Sequence, residues 1–95
     1  MIATRWHDCE VLDREDTVLA TSRGRAWRLG RSDATAGGQR YDSSGIVDIG
    51  ANDALVNHQN RILRIEGTDY RVVDANANPI LGYIDVALVQ VQADG

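Results

Sequence analysis

His7, Cys9 and Glu10 are the first residues of the chain whose types can do chemistry, and they stand close together. Read as a helix, this stretch places His7 and Glu10 on one face at i and i+3, which offers two ligands to a metal ion. A catalytic zinc takes three protein ligands, and His58 is the only other histidine. Cys9, His58 and a carboxylate also supply the residue types of a nucleophile, a base and an orienting acid. The plain alternative is a buried structural thiol, because Cys9 falls on an apolar stripe and cysteine is among the most buried residue types. Phosphate signals are absent: Gly37-Gly38 and Gly45 fit neither G-x-x-x-x-G-K-S/T nor G-x-G-x-x-G. The carboxylates are scattered among turns, with no apolar pocket to raise a pKa for acid–base work. The reading is a non-enzyme, with no catalytic residue, cofactor or metal.

Composition narrows the class further. Ninety-five residues suit one domain, spanning 1–95, with a small core. A single cysteine excludes an internal disulfide framework. The first residues lack the apolar centre of a signal peptide, and no apolar run approaches the roughly 20 residues that cross a bilayer. A cytoplasmic protein without membrane contact is therefore expected. The net charge is −4, and all ten bases are arginine. An acidic balance argues against a nucleic-acid binder, while arginine favours forked contacts at protein interfaces.

The elements that must position these residues begin with Ile2, Trp6, Cys9 and Leu12, whose spacing stripes one face of a short N-terminal helix within Met1–Arg14. Thr17–Thr21 and Arg25–Leu29 read as two strands of a hairpin, turning at Ser22-Arg23-Gly24. Arg25, Trp27 and Leu29 share one side of the second strand; Trp27 is expected as a core or rim anchor. From Gly30 to Gly45 the large aliphatics vanish, which predicts a long flexible loop. Arg31, Arg40 and Tyr41 within it are residue types that make interface hot spots once ordered. Ile46–Ile49 is a short strand, and Asn52 or Asp53 a helix N-cap ahead of about one turn that closes at Asn60.

Arg61 to Gln92 carries most of the core. Three runs rich in β-branched and aromatic residues, broken by turn residues, predict an antiparallel meander. Gly67 is the residue suited to positive φ at the first reversal, Tyr70 and Val72 share a strand face, and Asp74–Pro79 reads as a polar bend. Gly82 closes the second connection. The last strand carries Ile84, Val86 and Leu88 on one face, with Val89 and Val91 adding apolar surface to the other. Such a strand either closes a barrel seam or offers an edge to another chain. The fold class is α+β, mainly β: a small antiparallel barrel or sandwich with a C-terminal meander and one short N-terminal helix.

The run Ile46–Asp53, a brief helical turn, then Ile62-Leu-Arg-Ile-Glu-Gly67-Thr-Asp-Tyr70-Arg-Val-Val73 and a final strand Asp85-Val-Ala-Leu-Val-Gln-Val91 resembles the C-terminal half of phage head–tail connector proteins. These are the head-completion, stopper or tail attachment proteins of long-tailed phages. The resemblance covers about half the chain and carries no catalytic residue. It implies structural places for Gly67, Tyr70, Val72 and Gly82. It also implies a protein that is monomeric in the host cytoplasm and then assembles as a ring at the virion neck. Its partners would be a portal or adaptor ring on one side and tail proteins on the other, with DNA passing nearby but not bound specifically. Contacts are then expected from Arg31, Arg40 and Tyr41 in the loop and from Val89 and Val91 on the last strand. The alternative is a small acidic inhibitor or adaptor of the anti-defence type that binds one enzyme.

Overall fold

The computed structural model describes residues 6–29, 34–36, 38–55 and 60–91. Its strands are β1 (His7–Leu12), β2 (Val18–Arg28), β3 (Ala34–Ala36), β4 (Gln39–Tyr41), β5 (Ser43–Asp48), β6 (Ile62–Ile65), β7 (Thr68–Asn78) and β8 (Tyr83–Gln90). A 3₁₀ turn over Ile49–Ala51 runs into a short helix, α1 (Asn52–Leu55). Six strands close an antiparallel barrel in the order β1-β2-β5-β8-β7-β6, and β3 pairs with β4 as a separate two-stranded hairpin. The protein is thus mainly β, a small barrel with one short helix.

The barrel consists of two three-stranded meanders, β1-β2-β5 and β6-β7-β8, sealed by β5 against β8 and by β1 against β6. In each meander the middle strand is eleven residues long and divides its length between its two neighbours. Both middle strands must bend sharply to do so. β2 bends where Gly24 and Gly45 thin the β2–β5 contact, and β7 bends at a bulge between Val72 and Asp74. Cys9, Val11, Val47, Leu63, Ile65, Val72, Ile84, Val86 and Leu88 fill the interior. Ala51 and Leu55 join the same core from the 3₁₀ turn and α1, which close one end of the barrel. In a barrel this narrow, side chains fill the lumen.

Several expectations change. His7–Leu12 is a strand, not a helix. Cys9 and Leu12 are both buried and lie three apart, which imitates a helical stripe, although only Cys9 belongs to the core cluster inside the barrel. β2 runs unbroken through Ser22–Gly24, and no turn forms there. Gly24 instead permits close approach, since a Cβ at that position would lie 2.7 Å from the Ile46 carbonyl oxygen. The segment read as a loop from Gly30 to Gly45 carries β3, β4 and the start of β5. Asp48 caps the 3₁₀ turn, its Oδ1 accepting the Gly50 amide at 2.9 Å, so the cap precedes Asn52 and Asp53. The polar stretch after Asp74 extends β7 to Asn78: Asn76 points outward, while Ala75 packs against the core.

The edge expected on the last strand does not exist. β8 is hydrogen-bonded to β5 on one side and β7 on the other. The end of the strand is covered as well, because the Gln90 amide donates to Asp42 Oδ1 and the Val91 amide to the Asp69 carbonyl. Of the two readings of a strand apolar on both faces, the barrel seam holds.

Candidate functional site

The cluster that opened the sequence separates in space. On a strand, residues 7 and 10 point to opposite faces, so His7 and Glu10 cannot share a ligand. His7 Nδ1 meets Glu66 Oε1 at 2.8 Å. Cys9 faces the core at 2% exposure, and burial, with the charge of Asp8 second, pushes its thiol up to about 11. Such a thiol is a poor nucleophile near neutral pH. Arg31 and His58 lie outside the described residues. Among the described residues no three His, Cys, Asp or Glu side chains converge on a site for a metal ion.

Outside β1, β2 and β6 lies an open cleft of about 600 Å³ lined by Asp8, Glu10, Thr21, Arg23, Arg64 and Glu66. Its charges alternate in sign, and Arg64 is already committed: its Nε and Nη2 hold Asp69 Oδ1 and Oδ2 at 2.6 and 3.0 Å. Hydrogen bonding by Asp69, and then its charge, raises the Arg64 pKa. Alternating cross-strand charges of this kind describe a solvated sheet face.

A different kind of surface forms on the outside of β2, β5, β8 and β7. Strand alternation puts Gly24 and Ala26 toward the interior, so Arg25 and Trp27 face out. Trp27 is 41% exposed, outside the core, with the Arg25 guanidinium carbon 5.0 Å from its ring centroid. Pairing aligns Trp27 with Ser44, Ala87 and Asp74, and the next level brings Val89 beside Arg71. The β3–β4 hairpin folds over this level. Tyr41 lines a cleft of about 220 Å³ together with Trp27, Ser44, Ala87, Asp74 and Asp85.

Asp42 anchors the hairpin. Its amide donates to the Leu88 carbonyl and its own carbonyl accepts from the Leu29 amide. Its Oδ1 accepts from the Gln90 amide at 3.2 Å and the Ser43 hydroxyl at 3.0 Å. One residue therefore joins β2, β5 and β8 at the root of β4. Two longer contacts brace the same end, from Arg28 Nη1 to Gln90 Oε1 at 3.4 Å and from Arg71 Nη1 to Gln39 Oε1 at 3.5 Å.

Of the residues marked from sequence, Arg40 and Tyr41 sit on β4, Val89 is half-buried beneath the hairpin, and Val91 is 45% exposed just past β8. The structure gathers these four at one end of the barrel. Gly67 adopts φ +78° beside Glu66 at +50°, the paired positive values of a two-residue hairpin turn, and Gly82 adopts +80°. Val72 is buried, and Tyr70 packs against the core near the barrel mouth. There burial, then the charges of Glu66 and Asp42, raises the Tyr70 hydroxyl pKa.

Sequence reasoning passed over Arg71 and Asp42 on this surface and expected Trp27 as a core or rim anchor. Arg71 was legible only once the strand faces were fixed, whereas an Asp between Tyr41 and Ser43 was a visible capping type. It also passed over Ile80 and Leu81 in the β7–β8 turn, which are 93% and 61% exposed. Two large aliphatics directly after Asn78-Pro79 were the available signal, because turns seldom place such residues in solvent without a use. No family model, curated protein or solved structure matches the chain, so what the protein does has to be inferred from its own surface.

Proposed function

We propose that the protein is a structural connector of a phage neck, joining a filled head to a tail without catalysis. The observation that carries this reading is the docking face: Trp27, Tyr41, Val89 and Val91 flanked by Arg25, Arg28, Arg40 and Arg71, on a rigid barrel and a pinned hairpin. Tryptophan, tyrosine and arginine are the types that dominate protein–protein binding energy. The barrel interior is taken by its own core, which turns attention to the outside. The resemblance of Ile46–Gln92 to head-completion proteins supplies the setting.

In that setting the partners are a portal or adaptor ring and tail proteins, with copies of the chain assembled side by side. The net charge of −4 suits a wall past which DNA moves without being held. The protein would wait in the host cytoplasm and end in the virion neck.

The test is to mix purified protein with DNA-filled, tail-less capsids and image the vertices by electron microscopy. A neck ring, with tail joining restored, is the expected result. Absence of both would remove the proposal, and a one-to-one complex with a single soluble enzyme would support the inhibitor or adaptor reading instead.

A further inference from the structure

The β7–β8 turn is a rigid apolar tip. The Gly82 amide donates to the Asn78 carbonyl at 2.9 Å, the Leu81 amide to Asn78 Oδ1 at 3.2 Å, and the Ile49 amide to the Gly82 carbonyl at 3.1 Å. Pro79 further limits the backbone. Ile80 and Leu81 project from this frame at 93% and 61% exposure. A tip already held in one conformation loses little entropy on docking.

Charge is distributed unevenly along the strand that follows. Asp48 and Asp53 are exposed on the segment that hydrogen-bonds the turn, whereas Asp85 on β8 already reaches the cleft of Trp27 and Tyr41. Arg28, Arg40 and Arg71 are exposed at the far end of β8, around Tyr41, Val89 and Val91. From Gly82 to Val91 an extended chain covers roughly 30 Å, so a single copy cannot bring its tip to its own arginine-rich end. A second copy placed head to tail matches both properties at once. It sets Ile80 and Leu81 against Trp27, Tyr41, Val89 and Val91, and the acids beside the tip against the arginines beside the face.

We propose that the Ile80–Leu81 turn of one copy docks on the Trp27–Tyr41–Val89–Val91 face of a second copy of this chain. The inference rests on the connector reading for its setting and names the partner of the same face. The contact is heterologous, so it leaves a free tip and a free face on every pair and propagates into a closed ring or an open chain. The acids around the tip disfavour an anionic bilayer as its target.

Cross-linking with introduced cysteines tests it, with native Cys9 shielded in the core. Full-length I80C and V91C proteins are mixed at high concentration with a short bismaleimide. Covalent dimers are expected in the mixture, a ladder in the I80C/V91C double variant, and neither from wild type. Raising the salt should thin the ladder, and adding Ile80→Ser and Leu81→Ser to the V91C partner should leave the mixed dimer intact, because that copy contributes only its face. In sedimentation velocity, the Ile80→Ser/Leu81→Ser variant should self-associate roughly tenfold more weakly than wild type. Dimers from I80C alone, no cross-link in the mixture, or flotation of the wild-type protein with anionic vesicles that the serine variant loses would each overturn the proposal. If the serine variant still forms neck rings on capsids, the connector function stands and this contact falls. If the ladder forms but wild type builds no neck ring, the contact stands and the connector function falls.

Discussion

Gly24 and Gly45 each lie against the backbone of the residue that follows the other across the β2–β5 pair: a Cβ on Gly24 would lie 2.7 Å from the Ile46 carbonyl oxygen, and one on Gly45 would lie 2.7 Å from the Arg25 carbonyl oxygen. The two absent side chains let β2 curl from β1 onto β5, and with it let the first meander close on the second. Gly24→Ala and Gly45→Ala should each lower stability by about 1–3 kcal/mol, because backbone cannot yield as a side chain can. Gly45→Ala should be the more damaging, since its Cβ would also press on two side chains, Val86 and Leu88 at 3.2 and 3.3 Å, where one on Gly24 would press on Val47 alone at 3.3 Å. Thermal melts would register this as a Tm drop of roughly 5–15 °C, and unchanged melting would show that the bend does not depend on these glycines.

Asp42→Ala removes the acceptor for the Gln90 amide and the Ser43 hydroxyl at the root of the hairpin. The cost should be about 1–3 kcal/mol, with a local signature. Hydrogen exchange at the amides of Gln90, Leu29 and β4 should accelerate, while Leu63 and Ile65 on the far side stay protected. Equal acceleration everywhere would mean that Asp42 supports the whole barrel and not the hairpin end in particular.

The Cys9 thiol should resist a disulfide reagent such as DTNB at pH 8 and react fully once the chain is unfolded. Its pKa is raised by burial to about 11 from 9.0, so the folded protein keeps the proton longer than the unfolded chain. The stability tied to it is therefore complete below about pH 9 and lost as pH rises from 9 toward 11. Urea midpoints measured across that interval should fall, and Cys9→Ala should flatten this part of the profile. A midpoint insensitive to pH there in wild type would contradict the burial.

At the acid end, Asp13 closes the β1–β2 turn. Its Oδ1 accepts the Glu15 and Thr17 amides at 2.8 and 3.0 Å, and those bonds hold its carboxyl below the ordinary value of 3.8. A lowered folded pKa means that the unfolded chain takes up the proton first, so this contribution is present above about pH 4 and disappears as pH falls further. Asp13→Asn should blunt the acid sensitivity of melting between pH 4 and pH 2. A variant as acid-sensitive as wild type would place the loss elsewhere.

The second meander was legible because its signals are local. Gly67 after Glu66, β-branched runs on both sides, and alternating Ile84, Val86 and Leu88 each report a turn or a face without reference to the rest of the chain. The first meander was not, because its signals are displaced by the barrel. Cys9 and Leu12 are both buried at a three-residue spacing that counts as helix, although β1 keeps its register with β6 throughout. At Gly24 a residue type that marks turns serves instead for close packing within a strand. The same holds for the arginine-flanked face at the end of β8: Arg40, Tyr41, Val89 and Val91 could be picked by type, but their convergence depends on Asp42 pinning a hairpin whose sequence has no large aliphatics to announce it. Trp27 was expected as a core or rim anchor because a large ring in a small protein suggests a core, and the unbroken parity of β2 sends it outward, away from the core.

Of the two pairings that join the meanders, β1 against β6 is the shorter, where Cys9–Leu12 meets Ile62–Ile65. If that seam parts, each meander is left with a bare outer strand, and the interior it lined is uncovered in the same event. Keeping the barrel from joining sheets with its neighbours is therefore a property of the closed circuit and not of any strand by itself, and the β3–β4 hairpin lies outside that circuit. Contacts made by the intact barrel run through side chains, which makes them reversible and sensitive to salt. Contacts made by an opened one would run through backbone and would be hard to undo.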